Sequence, residues 1–234
     1  MIRLVQAACA LLALNLAAPM PLAHAAEEDT QLWVGAMAMV DVPRGGQGGK
    51  PLVIMADWQY RYADDASRLG QVVGRVSLGI RVRPTIVLSQ GYAYAGTRAP
   101  SGATTREHRP FQQAMFRITG NGKGPTLIGR TRLEERFVEG APDMGLRARQ
   151  MLRGTAPLGG GFLAIGTAEA FVNLNSVSWG PRGGFDQSRV FAGVGVPLAR
   201  GIWIEAGYMN QYVARFRRAD RMNHNISLTL SLVR

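Results

Sequence analysis

The sequence predicts an all-β protein, a single antiparallel transmembrane β-barrel of ten to twelve strands with a polar, arginine-rich lumen. Three observations lead to this prediction. Apolar and polar residues alternate along successive segments, the first residues resemble an export signal, and no later segment is long and apolar enough for a membrane helix. Successive side chains of a strand point to opposite faces. A barrel in a membrane therefore turns its apolar residues to lipid and its charged residues to the lumen.

Residues 1–25 have the three parts of a cleavable secretory signal. Arg3 supplies a positive charge, an apolar stretch follows, and Ala23-His24-Ala25 forms a small-x-small cleavage site. We therefore divide the chain into a signal peptide, 1–25, and a barrel domain, 26–234. Cys9 is the single cysteine and would leave with the signal, so we expect no disulfide in the mature chain.

The mature chain is basic, and nearly all its basic residues are arginine. The formal net charge is +11 for the whole chain and becomes +10 without the signal, because Arg3 is the one formally charged residue removed. A guanidinium group forms forked hydrogen bonds and tolerates partial burial better than a lysine ammonium. These arginines alternate with apolar residues instead of clustering with aromatic ones, which argues against nucleic acid as a partner.

Eleven segments show the alternation of a strand. In the sixth, Arg130, Arg132, Glu134 and Arg136 share one face, with mostly apolar residues on the other. A helix is excluded because the apolar spacing is two and not 3.6. The predicted segments are 31–40, 52–62, 69–82, 84–94, 106–119, 130–137, 146–155, 162–173, 187–196, 202–212 and 223–232.

The connections alternate in length in the second half of the chain, as periplasmic turns and extracellular loops do in bacterial barrels. A periplasmic C-terminus would make the longer connections extracellular. Eleven strands would then put the N-terminus on the extracellular side, so we expect ten or twelve, with the discrepancy among the first four segments near 41–50. The short connections are 120–124, 157–161 and 199–201, and the longer ones are 96–104, 174–186 and 213–221.

An ordered set of short motifs runs along the mature chain. The central ones are Phe111-Gln112-Gln113 and Arg130-x-Arg132-Leu133-Glu134-x-Arg136, followed by Glu169-x-Phe171-x-Asn173 and Asn223-His224. From Trp33 onwards this set resembles the bacterial domain-of-unknown-function family 2490, which is regarded as an outer-membrane β-barrel family. The resemblance implies the fold and a location in the outer membrane of a Gram-negative bacterium. It implies no catalytic residue, because the family has no established activity.

Charged residues on the polar faces are the candidate lumen lining. Long side chains can fill a narrow barrel, and forked arginine–carboxylate bonds suit a ladder that plugs it. The alternative is a small anion-preferring pore, because arginines outnumber acids roughly two to one on these faces. The candidates are Asp57, Arg61, Arg75, Arg81, Glu107, Arg109, Arg117, Arg130, Arg132, Glu134, Arg136, Arg147, Arg149, Arg153, Glu169, Arg189 and Glu205.

The last long connection carries Arg215, Arg217, Arg218 and Arg221. This cluster is either a solvated loop or a contact for the phosphates of lipopolysaccharide. Besides outer-membrane lipid, we expect the barrel-assembly machinery as a partner during biogenesis, and a monomeric state. Aromatic residues are expected in the girdles at the membrane interfaces. They are Trp33, Trp58, Trp179, Trp203, Tyr208 and Tyr212.

An enzyme acting on lipid or peptide at the extracellular rim is the alternative from another class. The mature barrel has two histidines, His108 and His224, which follow Glu107 and Asn223, and no serine lies in a recognisable nucleophile motif. We therefore predict no enzyme and no cofactor, and no metal site because no ligand spacing is present. A soluble periplasmic β-sandwich is a further alternative. It would be extracted in buffer without detergent.

Overall fold

The computed structural model describes residues 26–43, 50–121 and 124–234, so the predicted signal peptide lies outside the described residues. The described residues form eleven strands in one sheet that closes into a barrel, which confirms the predicted all-β barrel. No helix among them is long and apolar enough to cross a membrane. The strands are β1 (Glu27–Val42), β2 (Leu52–Ala63), β3 (Arg68–Arg83), β4 (Ile86–Arg98), β5 (Thr104–Thr119), β6 (Thr126–Val138), β7 (Gly145–Gly159), β8 (Phe162–Asn173), β9 (Gly184–Ala199), β10 (Ile202–Val213) and β11 (Arg221–Val233).

The barrel closes through a parallel seam. Every pairing between strands adjacent in sequence is antiparallel, whereas β1 pairs with β11 in parallel, from Glu27 beside Arg221 to Met39 beside Val233. A parallel closing pair permits an odd number of strands. The expectation of an even number, ten or twelve, is therefore wrong, because all eleven segments, including the first four, are strands.

The two ends of the barrel differ in their connections. We call the end with connections 64–67, 99–103, 139–144, 174–183 and 214–220 the loop end, and the opposite end the turn end. Tight connections at 160–161 and 200–201 lie at the turn end, as the glycine-containing sequences there predict. The parallel seam puts the start of β1 at the loop end and the end of β11 at the turn end.

The strands carry their apolar side chains on the outside of the barrel. Large apolar residues that would be buried in a water-soluble protein are among the most exposed, including Leu78 at 56%, Val190 at 57% and Ile226 at 54%. Charged and amide side chains on the opposite parity are buried inside, with Glu134 1% exposed and Asn225 fully buried. The distribution is the inverse of a water-soluble domain, in which charged residues are almost never fully buried unless they are paired.

One part of the outer surface departs from this apolar pattern. Gln90, Gln112, Thr131 and Gln150 lie on the outside of β4 to β7, and the Thr131 hydroxyl donates to the Gln150 amide oxygen at 2.6 Å. Gln90 and Gln112 are directly opposite each other in the β4–β5 register. A surface groove of about 730 Å³ covers most of this polar stripe. The alternation of strands β4 to β7 is therefore not strictly apolar on its outer face.

Small residues of β3 and β4 make room for the long side chains inside. At Gly91, a Cβ atom would lie 2.4 Å from the Phe111 ring and 2.5 Å from the Cβ of Ser77. Ala93 and Ala95, two and four residues on, are each 1% exposed on the same inner face. Aromatic and arginine side chains from β5 to β8 can therefore extend across the lumen.

Candidate functional site

The centre of the lumen is an ion-pair cluster around Glu134. Its Oε2 accepts from Nη2 of Arg147 at 2.7 Å, and its Oε1 accepts from Nη1 of Arg149 at 2.5 Å. Nη1 of Arg132 lies 3.5 Å from the same Oε1. These arginines stand on β6 and β7, two adjacent strands whose inner faces alternate as the sequence predicts. One carboxylate thus neutralises parts of three guanidinium groups, all of which are buried.

Glu169 on β8 extends this cluster to a second carboxylate. Its Oε1 accepts from Nη2 of Arg130 at 2.6 Å and from Nη2 of Arg149 at 2.8 Å. Arg149 therefore bridges Glu134 and Glu169. Forked, charge-assisted hydrogen bonds of this kind are stronger than neutral ones and hold both partners in one geometry.

The cluster continues towards the loop end. Glu107 accepts from Nη2 of Arg109 at 2.6 Å and from Nε of Arg136 at 2.5 Å. Arg147 also donates, at 3.0 Å, to Asp186, which lies on the inner side of β9. We call the inward side chains of β5 to β8 the charged wall.

Three further pairs lie outside the central cluster. Arg75 pairs with Asp57 between β3 and β2. Arg153 donates to Glu205 at 2.8 Å, and Arg81 donates to Asp41 at 2.7 Å. Arg117 is separate from these pairs, because its side chain is exposed near the turn end, where its Nη2 donates to the carbonyl oxygen of Pro84 at 3.5 Å.

Aromatic rings inside the barrel stack on the guanidinium groups. Arg132 lies over Phe111 at 3.9 Å and Arg149 over Phe171 at 4.5 Å, and Arg61 lies over Trp33 at 3.8 Å. Such contacts strengthen when water is excluded. Trp33 is 6% exposed, so its predicted place in an outer girdle is wrong. The alternation of the strands could have indicated this position. Trp33, Phe111 and Phe171 each lie on the same strand face as charged or amide residues, so they point into the lumen.

Neutral amide side chains are grouped on the inner face of β9, β10 and β11, and we call Gln187, Gln211, Asn223 and Asn225 the amide wall. Gln211 donates to Gln187 at 2.5 Å and accepts from Asn223 at 3.1 Å. Asn225 donates to the carbonyl oxygens of Met209 and Asn223. Side chains of both walls are buried at mid-height in the barrel.

A cleft of about 930 Å³ opens at the loop end between connections 174–183 and 214–220. Arg182 and Arg217 lie over the Phe216 ring at 4.4 and 5.0 Å, and Arg218 lines the cleft. Arg215 instead pairs with Glu27 at 2.8 Å. Arg221 lies 3.3 Å from the same carboxylate. The predicted cluster is therefore divided, and Arg182, from another loop, is a residue that the sequence did not reveal.

The two histidines lie on the outside of different hairpins. Nδ1 of His108 bonds the hydroxyl of Tyr92, and Nδ1 of His224 lies 2.6 Å from the hydroxyl of Tyr208. Glu107 points into the lumen, so it does not join His108. The carboxylate beside His108 is Glu139 in the connection 139–144, at 3.3 Å. Hydrogen bonds from His108 and then Arg106 lower the pKa of Glu139.

The described residues contain no group of three or more His, Cys, Asp or Glu side chains placed to hold a metal ion. The buried carboxylates are instead bound by arginines.

Two comparisons with known proteins assign the chain to a family. The model of a family described as a protein of unknown function, DUF2490, matches residues 30–223. An uncharacterised protein of Methylorubrum extorquens is 34% identical over 206 residues, which cover 87% of each chain. The matched region runs from β1 into β11 and includes both walls of the lumen. The chain therefore belongs to the DUF2490 family.

Proposed function

We propose that this protein is an outer-membrane β-barrel of a Gram-negative bacterium, inserted by the assembly machinery as a monomer, whose lumen is closed by buried ion pairs. The exposed apolar side chains around the barrel support the membrane location, because monomeric soluble proteins rarely expose apolar patches of this extent. A closed barrel also leaves no sheet edge unpaired in lipid.

The observation that carries the closed lumen is the burial of the charged wall. Glu134 is 1% exposed, and Arg147 and Arg149, which bind it, are 4% and 5% exposed. Ions crossing the lumen would have to displace these bonded groups. The proposed role is therefore structural or ligand-binding. The ligand would bind at the loop end, and no catalytic step is involved. Glu107 and His108 face opposite sides of the barrel wall and form no common rim site.

Single-channel recording in a planar bilayer tests this role. The protein, shown to be folded by a heat-dependent shift in gel mobility, is expected to give no discrete current steps. A salt gradient reads the selectivity of any current that does appear. Discrete anion-selective steps would overturn the closed lumen and support the small anion-preferring pore. Extraction in buffer without detergent would overturn the membrane location.

A second function, binding of anionic lipid head groups, is favoured by the cleft at the loop end. Arg182 and Arg218 supply positive charge beside Phe216, a combination that suits a phosphate group attached to an apolar body. The lipopolysaccharide contact proposed for Arg215 and Arg221 is weaker, because both pair with Glu27.

Binding of the detergent-purified protein to immobilised lipopolysaccharide tests this second function. We expect Arg182→Gln and Arg218→Gln to weaken binding and to reduce its dependence on salt. Arg200→Gln, at an exposed position of the turn end, is the matched control and should bind as the unmodified protein does. If all three variants bound lipopolysaccharide as tightly as the unmodified protein does, the cleft would not be the binding site.

A further inference from the structure

Two buried arginines in the lumen have no carboxylate partner. Apart from Arg117 at the exposed turn end, the other inward-facing arginines among the described residues each lie within 4.0 Å of an Asp or Glu oxygen. Arg61 and Arg189 do not, in the described part of the chain. A buried charge without a counter-charge is strongly destabilising.

The described residues that hydrogen-bond Arg61 are all neutral. Its Nε and Nη2 donate to Gln59 at 3.2 and 2.6 Å, and its Nη1 donates to Gln71 at 2.7 Å. The side chain is 8% exposed. A guanidinium group has five N–H donors, so two of them remain for another acceptor.

Arg189 has even fewer partners. Among the described residues its one side-chain hydrogen bond, from Nη2 to Gln187, is 3.5 Å long, and its buried Nε has no acceptor. Glu169 lies opposite Arg189 in the β8–β9 register, but the ion pairs of Glu169 among the described residues, both through Oε1, are with Arg130 and Arg149. Within the described part of the chain, Arg189 therefore has N–H donors that no side-chain acceptor uses.

Both groups lie against the same ring. The guanidinium carbon of Arg61 is 3.8 Å from the centroid of Trp33, and that of Arg189 is 5.0 Å from it. Phe171 lies 4.7 Å from Arg189 on another side. Two like charges are thus held in one small region away from water, where their repulsion is strong.

We propose that the lumen binds a small monovalent anion of the halide type between Arg61 and Arg189, beside Trp33. The anion would accept the unused N–H groups of both arginines and supply the missing negative charge. The aromatic and amide surroundings favour a weakly hydrated monovalent ion over a phosphate, whose greater charge would need more donors. The proposal concerns the interior alone, so it holds whether or not the loop-end cleft binds lipid.

Thermal unfolding of the refolded full chain in detergent tests the site. Sodium chloride and sodium bromide are compared with sodium gluconate at equal ionic strength, so that general screening is the same. A ligand that binds only the folded state raises the unfolding temperature in a saturable way. We expect this rise with both halides, its absence with gluconate, and its loss in Arg189→Gln. Arg200→Gln should keep it.

Equal unfolding curves in chloride and gluconate, or a full halide response in Arg189→Gln, would overturn the proposal. Bromide anomalous scattering from crystals of the unmodified protein gives a second reading that does not depend on the variant folding. A peak within hydrogen-bond distance of Arg61 and Arg189 is expected. A bromide-soaked crystal with peaks at the protein surface and none beside Trp33 would overturn the site.

Discussion

The charged wall and the amide wall line the same lumen with different kinds of bonds. In the charged wall, Glu134 and Glu169 each bind more than one arginine, so each carboxylate balances several charges. In the amide wall, Gln211 links Gln187 and Asn223 through neutral groups that each donate and accept. Damage to the first leaves unbalanced charge, whereas damage to the second leaves only unpaired dipoles.

The two walls also differ in reach. Arginines of β6 and β7 extend into the lumen and stack on aromatic rings, whereas the amides of β10 and β11 bond their immediate neighbours. Trp33 of β1 lies beside the amide wall, against the guanidinium groups of Arg61 and Arg189. The charged wall therefore also links strands that are not neighbours, β6 to β8 through Arg130 and Glu169 and β7 to β9 through Arg147, whereas the amide wall ties adjacent strands.

The largest effect is expected from Glu134→Gln. The substitution keeps the shape but leaves Arg147 and Arg149 with less negative charge in a buried place, where breaking such a pair costs about 3–5 kcal/mol. The measurement is the free energy of unfolding in urea from lipid vesicles. Glu139→Gln, at the exposed loop end, is the control and should change stability far less. Similar losses in both variants would mean that burial of the charge is unimportant.

A smaller effect is expected in the amide wall from Gln211→Met. This change of similar shape removes the acceptor of Asn223 and the donor to Gln187, and unsatisfied buried groups cost about 1–3 kcal/mol. The same unfolding experiment measures it. Gln90→Met, which alters an exposed amide on the outer face, should leave stability nearly unchanged. A loss as large as that of Glu134→Gln would erase the distinction between the two walls.

The smallest effect is expected at the loop end, where the same kinds of bonds lie in water. The Ser178 hydroxyl and amide donate to Asp143, which lowers the pKa of its carboxyl group. Because the folded pKa lies below the unfolded one, this contribution is complete above the ordinary Asp pKa and is lost as pH falls through the folded pKa.

Fluorescence of Trp179, whose indole N–H donates to the Asp143 carbonyl at 3.0 Å, follows this loop. The other tryptophans are replaced by phenylalanine so that the emission comes from Trp179. We expect the fluorescence of this variant to change when the pH is lowered into strong acid. Asp143→Asn in the same background should lose that transition. An unchanged acid transition would assign it to another carboxyl group.

Alternation predicted the strands and the inward position of the charged wall, because parity is a local property of the chain. It could not predict which arginine meets which carboxylate. Arg149 reaches Glu134 and Glu169 on two different strands, and that choice depends on register and side-chain length. The unpaired state of Arg189 was hidden for the same reason.

The sequence also could not predict how the first and last strands pair to close the barrel. The pairing of β1 with β11 joins distant parts of the chain, and no local sequence pattern indicates whether that pairing is parallel or antiparallel. Trp33 was misplaced because an aromatic residue suits a lipid interface and an interior ring contact equally well by composition. The contact of Arg182 with Phe216 likewise depends on two separate loops meeting.

The parallel seam between β1 and β11 has a consequence for how such a chain can be rearranged. Duplication or deletion of whole hairpins changes the number of strands by two, so an even-stranded ancestor would reach eleven only by gaining or losing a single strand. The parallel seam also constrains circular permutation of the chain. Joining residues ahead of Glu27 to Arg234 would need a linker that spans the height of the barrel, whereas an even-stranded barrel would need only a tight turn.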